Sequence, residues 1–276
     1  MTDPRRRGTT GSQLERSSTL ANVLWRNRAV AERLAEFEEA ASGAKRGAAA
    51  RVNREPGFIL HSRPWSESSL LLDVLTRDYG RVFLVAKGAK RPSAQYRGLL
   101  QAFCPLLFTW SGKKEAKNLI RVDWLGSLEP VDGEGLFSGF YVNELILRFT
   151  EREDPHEGLF DAYVKVLGAL SGPAARRQPA LRNFETALLS MLGWAIVRDR
   201  ADAPRYRFSE GRLEGVDAPA GEELFSRGSV EALLSGTFGP EVDMREVRRL
   251  IRTVIDYHMD GRDVNTRRVL SELRQY

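Results

Sequence analysis

Among its 276 residues the chain has one cysteine, Cys104, and three scattered histidines, His61, His156 and His258. A lone thiol excludes an intrachain disulfide framework and a cysteine-based zinc site within one chain. The histidines are too far apart in sequence to give metal-ligand spacing, so no cofactor is expected. His61, beside Arg63, reads as a polar surface group or a satisfied imidazole. No apolar run approaches the roughly 18 to 20 residues of a membrane span. The Arg-rich start lacks the apolar core of a secretory signal. A reducing, cytoplasmic setting away from membranes is the expectation. Also missing are G-x-x-x-x-G-K-[ST], H-E-x-x-H and G-x-S-x-G, the signatures of phosphate loops, zinc hydrolases and serine hydrolases. Carboxylates such as Glu151, Glu153 and Asp154 fall at a predicted helix end, where solvated charge is the default. No residue is assigned a catalytic role, and the chain is not expected to be an enzyme.

What is present is charge, unevenly spread. The net charge is +5. Residues 1–56 carry 11 Lys/Arg against 7 Asp/Glu, and residues 57–125 carry 11 against 5. Residues 126–276 reverse the balance, with 20 against 25. A basic N-terminal half and an acidic C-terminal half suggest a polyanion partner on one part and a different task on the other. The plain alternative is a solvated basic surface without a partner.

Hydrophobic content of 42% and charged content of 29% fit a globular chain, long enough for two domains. Residues 1–56 read as a basic extension, mostly disordered, with a helical pattern over 20–41 and a linker from Ser42 to Gly57. Residues 57–130 are β-rich. Leu70–Thr76 and Arg81–Ala86 are two strands joined by the turn Arg77-Asp78-Tyr79-Gly80. Leu99-Leu100, Leu106–Trp110 and Leu119–Leu125 continue the series. Short strands at this density suggest a small closed barrel, OB-type or SH3-like. Trp65 is expected to pack across the barrel end, and Trp110 with Trp124 to form a cross-strand pair.

Residues 131–276 switch to helical period. Helices are expected from Gly135 to Phe149, over 159–170, just after Pro179, over 230–234 and from an Asp243 cap to Met259. Asn265 is expected to cap the last. An irregular stretch, 198–228, contains a small hairpin turning at Ser209-Glu210-Gly211. The fold class is therefore α+β: a β-barrel followed by a helical domain.

Two basic loops carry the sharpest signal. Lys87, Lys90, Arg91 and Arg97 follow the opening hairpin, with Tyr96 among them. Lys113, Lys114 and Lys117 lie on the turn between two later strands. Loops at one end of a small barrel can converge into one cationic groove, joined here by Arg63 and Arg81. Cations give salt-sensitive, sequence-independent binding, and exposed rings stack on bases. The opposing reading is a pair of solubilising turns. Phe83 and Phe108 fit the barrel core, whereas Tyr96 fits stacking and packing equally. In the helical half, Arg182 and Arg177 beside Phe184 suit a short acidic-hydrophobic peptide, or else an ordinary structural ion pair.

The chain resembles the bacterial RecO family of recombination mediators. The resemblance rests on FILHSRPWSESSLLLDVLT at 58–76, GRVFLVAKGAKR at 80–91, YVNEL at 141–145, PALRNFETALL at 179–189 and LGW at 192–194. It implies an OB domain on a helical domain. It also implies binding of single- and double-stranded DNA, annealing of complementary strands without nucleotide hydrolysis, and work with RecR, often RecF, and the single-stranded DNA-binding protein SSB to help load RecA. Arg182 sits where the resemblance implies capture of the acidic SSB tail. Many members hold a four-cysteine zinc module in the helical half. This chain has no cysteine after Cys104, so its small insertion must be held by packing. The competing function is a protein–protein adaptor with the barrel as scaffold.

Overall fold

The structure, a computed structural model, describes residues 51–96, 98–126, 130–131, 133–259 and 264–267. The basic extension up to residue 50 and Arg97 lie outside the described residues. The described residues form two compact units. One joins those up to Val131 with Thr150–Ser171, and the other joins those of 133–149 with those from Gly172 onward.

In the first unit, strands β1 (Arg51–Trp65), β2 (Ser69–Thr76), β3 (Gly80–Ala86), β4 (Leu106–Ser111) and β5 (Ala116–Trp124) close into an OB-type barrel of order β1-β2-β3-β5-β4. Period-two alternation drives the closure. Leu72 and Val74, Val82 and Leu84, and Leu106, Phe108 and Trp110 all turn into one interior cluster. Register shifts at Val52/Glu55 and Ile59/His61 bend the long β1, so that one part pairs with β4 and the other with β2. The expected β2–β3 turn is present. Gly80 has φ +65°, and a Cβ there would meet the Asp154 carbonyl oxygen at 2.5 Å. β3 and β5 run parallel, with Phe83 opposite Ala116 and Val85 opposite Asn118.

Several expectations for this unit change. β1 begins at Arg51, inside the stretch that reads as linker. Val52 reaches the interior, but a lone apolar residue among polar neighbours carries no strand pattern. Leu99 and Leu100 form no strand. Trp65 is 56% exposed and does not seal the barrel end. Trp110 and Trp124 are not partners: Trp110 opposes Leu119 and is interior, whereas Trp124 opposes Leu106 and is 49% exposed.

Helix α2 (Leu159–Leu170) belongs with the barrel rather than with the later helices. Phe58 and its partner Leu75 lie on the outer face of the sheet, outside the interior cluster. Phe160 and Tyr163 bring their rings to 5.6 and 5.2 Å from that of Phe58. Burying each large apolar side chain contributes about 1.5–3 kcal/mol, which ties the helix to the sheet.

The second unit holds helices α1 (Gly133–Phe149), α3 (Ala174–Met191), α4 (Arg227–Ser235) and α5 (Met244–His258). It also holds a sheet of order β7-β6-β8, from β6 (Arg205–Ser209), β7 (Arg212–Val216) and β8 (Leu224–Ser226). The hairpin β6–β7 turns at Glu210-Gly211 as expected, whereas three-residue β8 leaves no pattern to read. α3 starts at Ala174, five residues before Pro179, which sits inside the helix. Proline there removes one ladder bond, to the carbonyl of exposed Ala175, which water can replace. Asp243 caps α5 as expected, accepting from the backbone N–H of Arg245 and Glu246. At Asn265 the roles reverse. Its N–H and that of Thr266 donate to the Glu144 carboxylate, both at 2.8 Å, so α1 supplies the cap.

The implied zinc module has no donor set here, since no cysteine occurs in the second unit. Tyr206, Leu213 and Phe225 are buried in its place, and the Tyr206 hydroxyl donates to the Arg200 carbonyl at 2.8 Å. Among the described residues no His, Cys, Asp and Glu are grouped to hold a metal ion, and no helix is long and apolar enough to cross a membrane.

Candidate nucleic-acid interface

With Val82, Leu84 and Ala86 turned inward, Arg81, Phe83 and Val85 face out of the barrel. Two cross-strand rows define this outer face. His61, Asp73 and Phe83 form one, and Arg63, Leu71 and Val85 the next. His61 and Arg63 are exposed. Phe83 is buried, as expected, but on the outer face rather than in the interior. The Arg152 guanidinium lies 3.9 Å from its ring centroid, and that of Arg63 lies 5.8 Å away. Such cation–ring contacts are worth about 0.5–2 kcal/mol each.

Arg152 comes from the segment that leads into α2 and was not a sequence candidate. Its neighbours are acidic and read as a solvated helix end. Strand phase was the available signal: Phe83 alternates with Val82 and Leu84 and so needs a cover outside. Burial disfavours the charge on Arg152, but hydrogen bonds to Glu115 and Asp73 outweigh it and hold its pKa above the usual value. Arg81 is held on the same carboxylate: its Nη1 lies 3.0 Å from Asp73 Oδ1, and its Nη2 donates to the Thr150 carbonyl at 2.6 Å.

At one end of β3 the chain leaves as Lys87-Gly88-Ala89-Lys90-Arg91. Ala89 is buried against the interior, and the Lys90 N–H donates to the Ser68 carbonyl at 2.9 Å. Gly88 takes φ +69°, which tightens the turn. That anchoring pushes Lys87, Lys90 and Arg91 outward, and all three are exposed. Tyr96 packs against the interior cluster, and its hydroxyl donates to the Lys87 carbonyl at 2.8 Å. It positions the basic loop. Burial raises its pKa, so the hydroxyl stays a donor. Arg63 lies at this same end, because it precedes the short β1–β2 turn that Lys90 touches.

The second basic loop lies elsewhere. In the parallel register Phe83 opposite Ala116, the residues before Ala116 lie toward Gly80 and away from Lys87. At about 3.3 Å per residue the two loops are separated by roughly 20 Å along β3. They do not converge into one groove, which corrects the expectation, but flank the outer face from opposite ends. Lys113 and Lys114 are exposed, whereas Lys117 is buried, with its ammonium 2.6 Å from Glu153 and donating to the Lys114 carbonyl. Arg81, Arg152, Glu115, Glu151 and Glu153 line a shallow hollow of about 440 Å³ here. Acids match bases at this end, so Arg81 and Lys117 have no free charge to offer. Glu55 is buried nearby and accepts the Asp78 N–H at 2.7 Å; burial, then repulsion by Asp78, pushes its pKa up to about 8.

The expected peptide site in the second unit is closed. Arg182 is only 5% exposed, with its guanidinium 3.0 Å from Glu185, and Phe184 is buried. The Tyr141 hydroxyl donates to Glu185 at 2.7 Å and accepts from Arg267 at 2.9 Å. Burial and the Glu185 carboxylate hold that phenol far above its ordinary pKa. Arg177 is half-buried and donates to the Gly172 carbonyl. Arg182, Glu185, Tyr141 and Arg267 form an internal network, not an open slot. A two-turn helical spacing cannot show whether an arginine is covered.

Comparison with known proteins agrees with this architecture. Residues 51–128 match the family description Recombination protein O N terminal, and residues 130–213 match Recombination protein O C terminal. The chain is 38% identical over 236 residues to the DNA repair protein RecO of Azoarcus sp. (strain BH72), covering 81% of this chain and 97% of that one. It is also 38% identical over 242 residues to the protein of that name from Aromatoleum aromaticum, covering 82% and 98%. Over 263 residues it is 38% identical to the one from Ralstonia nicotianae, covering 89% and 95%.

Proposed function

The chain belongs to the recombination protein O (RecO) family, and from that premise we propose that it is a DNA-binding, strand-annealing mediator of DNA repair and recombination. The observation that carries the reading is the free cationic end of the barrel. Arg63, Lys87, Lys90 and Arg91 are exposed around an anchored turn, with Tyr96 fixing its backbone. Phosphates of a single strand dock there, and the strand runs along the outer face past Phe83 toward Lys113 and Lys114. The protein does no covalent chemistry. Neutralising phosphates on two strands lowers their mutual repulsion, which at close approach is about 1 kcal/mol per charge pair even in water.

Phe83 serves the face as a support beneath Arg152 and Arg63 rather than as a bare stacking platform. Arg81 and Lys117 hold the fold of the interface and contact no phosphate. The family role further implies action with RecR, with RecF and with SSB, and help in loading RecA. Contact with SSB uses a surface other than the buried Arg182 and Phe184. The test is annealing of complementary oligonucleotides at low salt with neither nucleotide nor metal added. Accelerated annealing that fades as salt rises is the expected result. Absence of both binding and annealing at low salt overturns the reading in favour of a protein adaptor.

A further inference from the structure

The end of β1 leaves a large ring uncovered. Every residue from His61 to Glu67 is exposed, Trp65 by 56%. Burying a large apolar side chain contributes about 1.5–3 kcal/mol, and the fold leaves that contribution unused here. Strand phase gives the direction of the ring. Leu70 packs against the interior cluster, so its β1 partner Pro64 takes the inward phase. Trp65, opposite Ser69, and Arg63, opposite Leu71, therefore share the outer face, roughly 7 Å apart along the strand. Lys87 follows Ala86, the β3 partner of Leu70, and extends the row of Trp65 and Ser69. The indole is thus bordered by Arg63 along its strand and by Lys87 along its row, both exposed.

We propose that Trp65 is the ring on which an unpaired base stacks, so that this end of the barrel prefers a single strand to a duplex. The inference deepens the DNA-binding reading of the barrel and rests on it. Phosphates held by Lys87 and Arg91 bring a strand over the outer face, and a base without its complement turns onto the indole. Such stacking contributes about 1–3 kcal/mol per base and tolerates any base, because each has a π-face. A paired base is already stacked in its duplex and must first be extruded. The other rings near this end are covered. Phe83 is buried beneath Arg152 and Arg63, and Tyr96 packs against the interior and donates its hydroxyl to the Lys87 carbonyl.

The basic loop itself braces the turn that follows the indole. Ser66, next after Trp65, has φ +53°, a left-handed conformation that non-glycine residues rarely adopt. Lys90 holds that turn at two points. Its N–H donates to the Ser68 carbonyl at 2.9 Å, and its ammonium reaches the Ser66 carbonyl at 3.4 Å. Ring and cations therefore belong to one braced unit, and a turn fixed in advance lowers the ordering cost of stacking. Arg63, Lys87, Lys90 and Arg91, set against Glu67 of the turn, favour a polyanion over a neutral protein surface as the cover for this ring.

The test measures binding of the full chain and of Trp65→Ala to labelled oligothymidylate, to an abasic strand of the same length and to a duplex, each across a salt series. The substitution is expected to weaken oligothymidylate binding about 5- to 100-fold. The salt slope stays the same, since an indole neutralises no phosphate, and affinity for the duplex and the abasic strand is unchanged. Trp65→Phe recovers part of the loss, and Trp65→Leu does not. The unsubstituted chain gives an independent reading, because it binds oligothymidylate more tightly than the abasic strand. If it binds the two alike, or if Trp65→Ala holds oligothymidylate as tightly as the unsubstituted chain, no base stacks on Trp65 and the barrel reading stands. Equal losses on single strand and duplex mean that the substitution acts through the loop, which also overturns the proposal. If the unsubstituted chain binds no strand at low salt, the barrel reading falls as well.

Discussion

The two ends of the barrel carry basic loops of similar composition, yet they differ in what faces them. Around Lys87, Lys90 and Arg91 the backbone is anchored and the side chains are exposed. Around Lys113, Lys114 and Lys117 the segment that leads into α2 brings Glu151 and Glu153 against the loop. Counting cations in a sequence therefore overstates one end and not the other. A lysine near a polyanion site contributes only if its counter-charge is solvent, because a paired ammonium releases no counterion when phosphate arrives.

This contrast can be broken by substitution. The largest effect is expected from Lys87→Ala, Lys90→Ala, Arg91→Ala. Single-strand affinity at low salt falls about 100-fold, and the log–log salt slope becomes shallower by about 2, from roughly 0.7 per lost phosphate contact. Fluorescence anisotropy across a salt series measures both, and an unaltered slope moves the site away from this loop.

The next effect concerns Glu55, at the opposite end. Its folded pKa of about 8 lies above its ordinary value of 4.5. Between these values the folded chain binds more protons than the unfolded chain, so stability falls as pH rises from about 4.5 through 8. Glu55→Gln keeps an acceptor for the Asp78 N–H and removes the buried charge. It should stabilise the protein by something on the order of 2 kcal/mol above pH 8 and by little near pH 5. Urea melts at the two pH values check this, and a gap that does not widen with pH refutes it.

An effect of opposite sign and somewhat smaller size is expected for Lys117→Ala, a loss of roughly 1–2 kcal/mol in the same melts, because Glu153 is half-exposed and solvent repairs part of the lost pair. Its direct effect on DNA affinity should stay below about twofold; a loss approaching that of the Lys87 loop returns Lys117 to the interface. The smallest effect belongs to Lys113→Ala, Lys114→Ala, a two- to fivefold loss of affinity with a slope change of about 1. Equal losses at the two ends would erase the contrast.

The barrel was legible because interior alternation on β2, β3 and β4 and the Gly80 turn are local signals. The helices from α1 to α5 were legible from their apolar stripes, apart from the start of α3, where Pro179 resembles a first-turn proline. What escaped depends on distant partners. Val52 is strand only because β4 lies beside it, and Phe83 faces outward only under Arg152 and Arg63. Arg182 looked available because its carboxylate partner, Glu185, is three residues on along the same helix, and burial cannot be read from that spacing. The free loop was visible in sequence, but its freedom was not.

The short parallel seam between β3 and β5 has a consequence for how the barrel assembles. Only Phe83, Leu84 and Val85 pair across it, whereas every other neighbouring pair is antiparallel. The chain must run from Ala86 through the whole basic loop and β4 before β5 can close it. Joining such distant residues is entropically slow compared with forming the β2–β3 hairpin. The seam therefore forms after that hairpin, and hydrogen exchange should reach its amides before those of the hairpin. The loop that offers its charges outward is also the tether whose length sets how fast the barrel shuts.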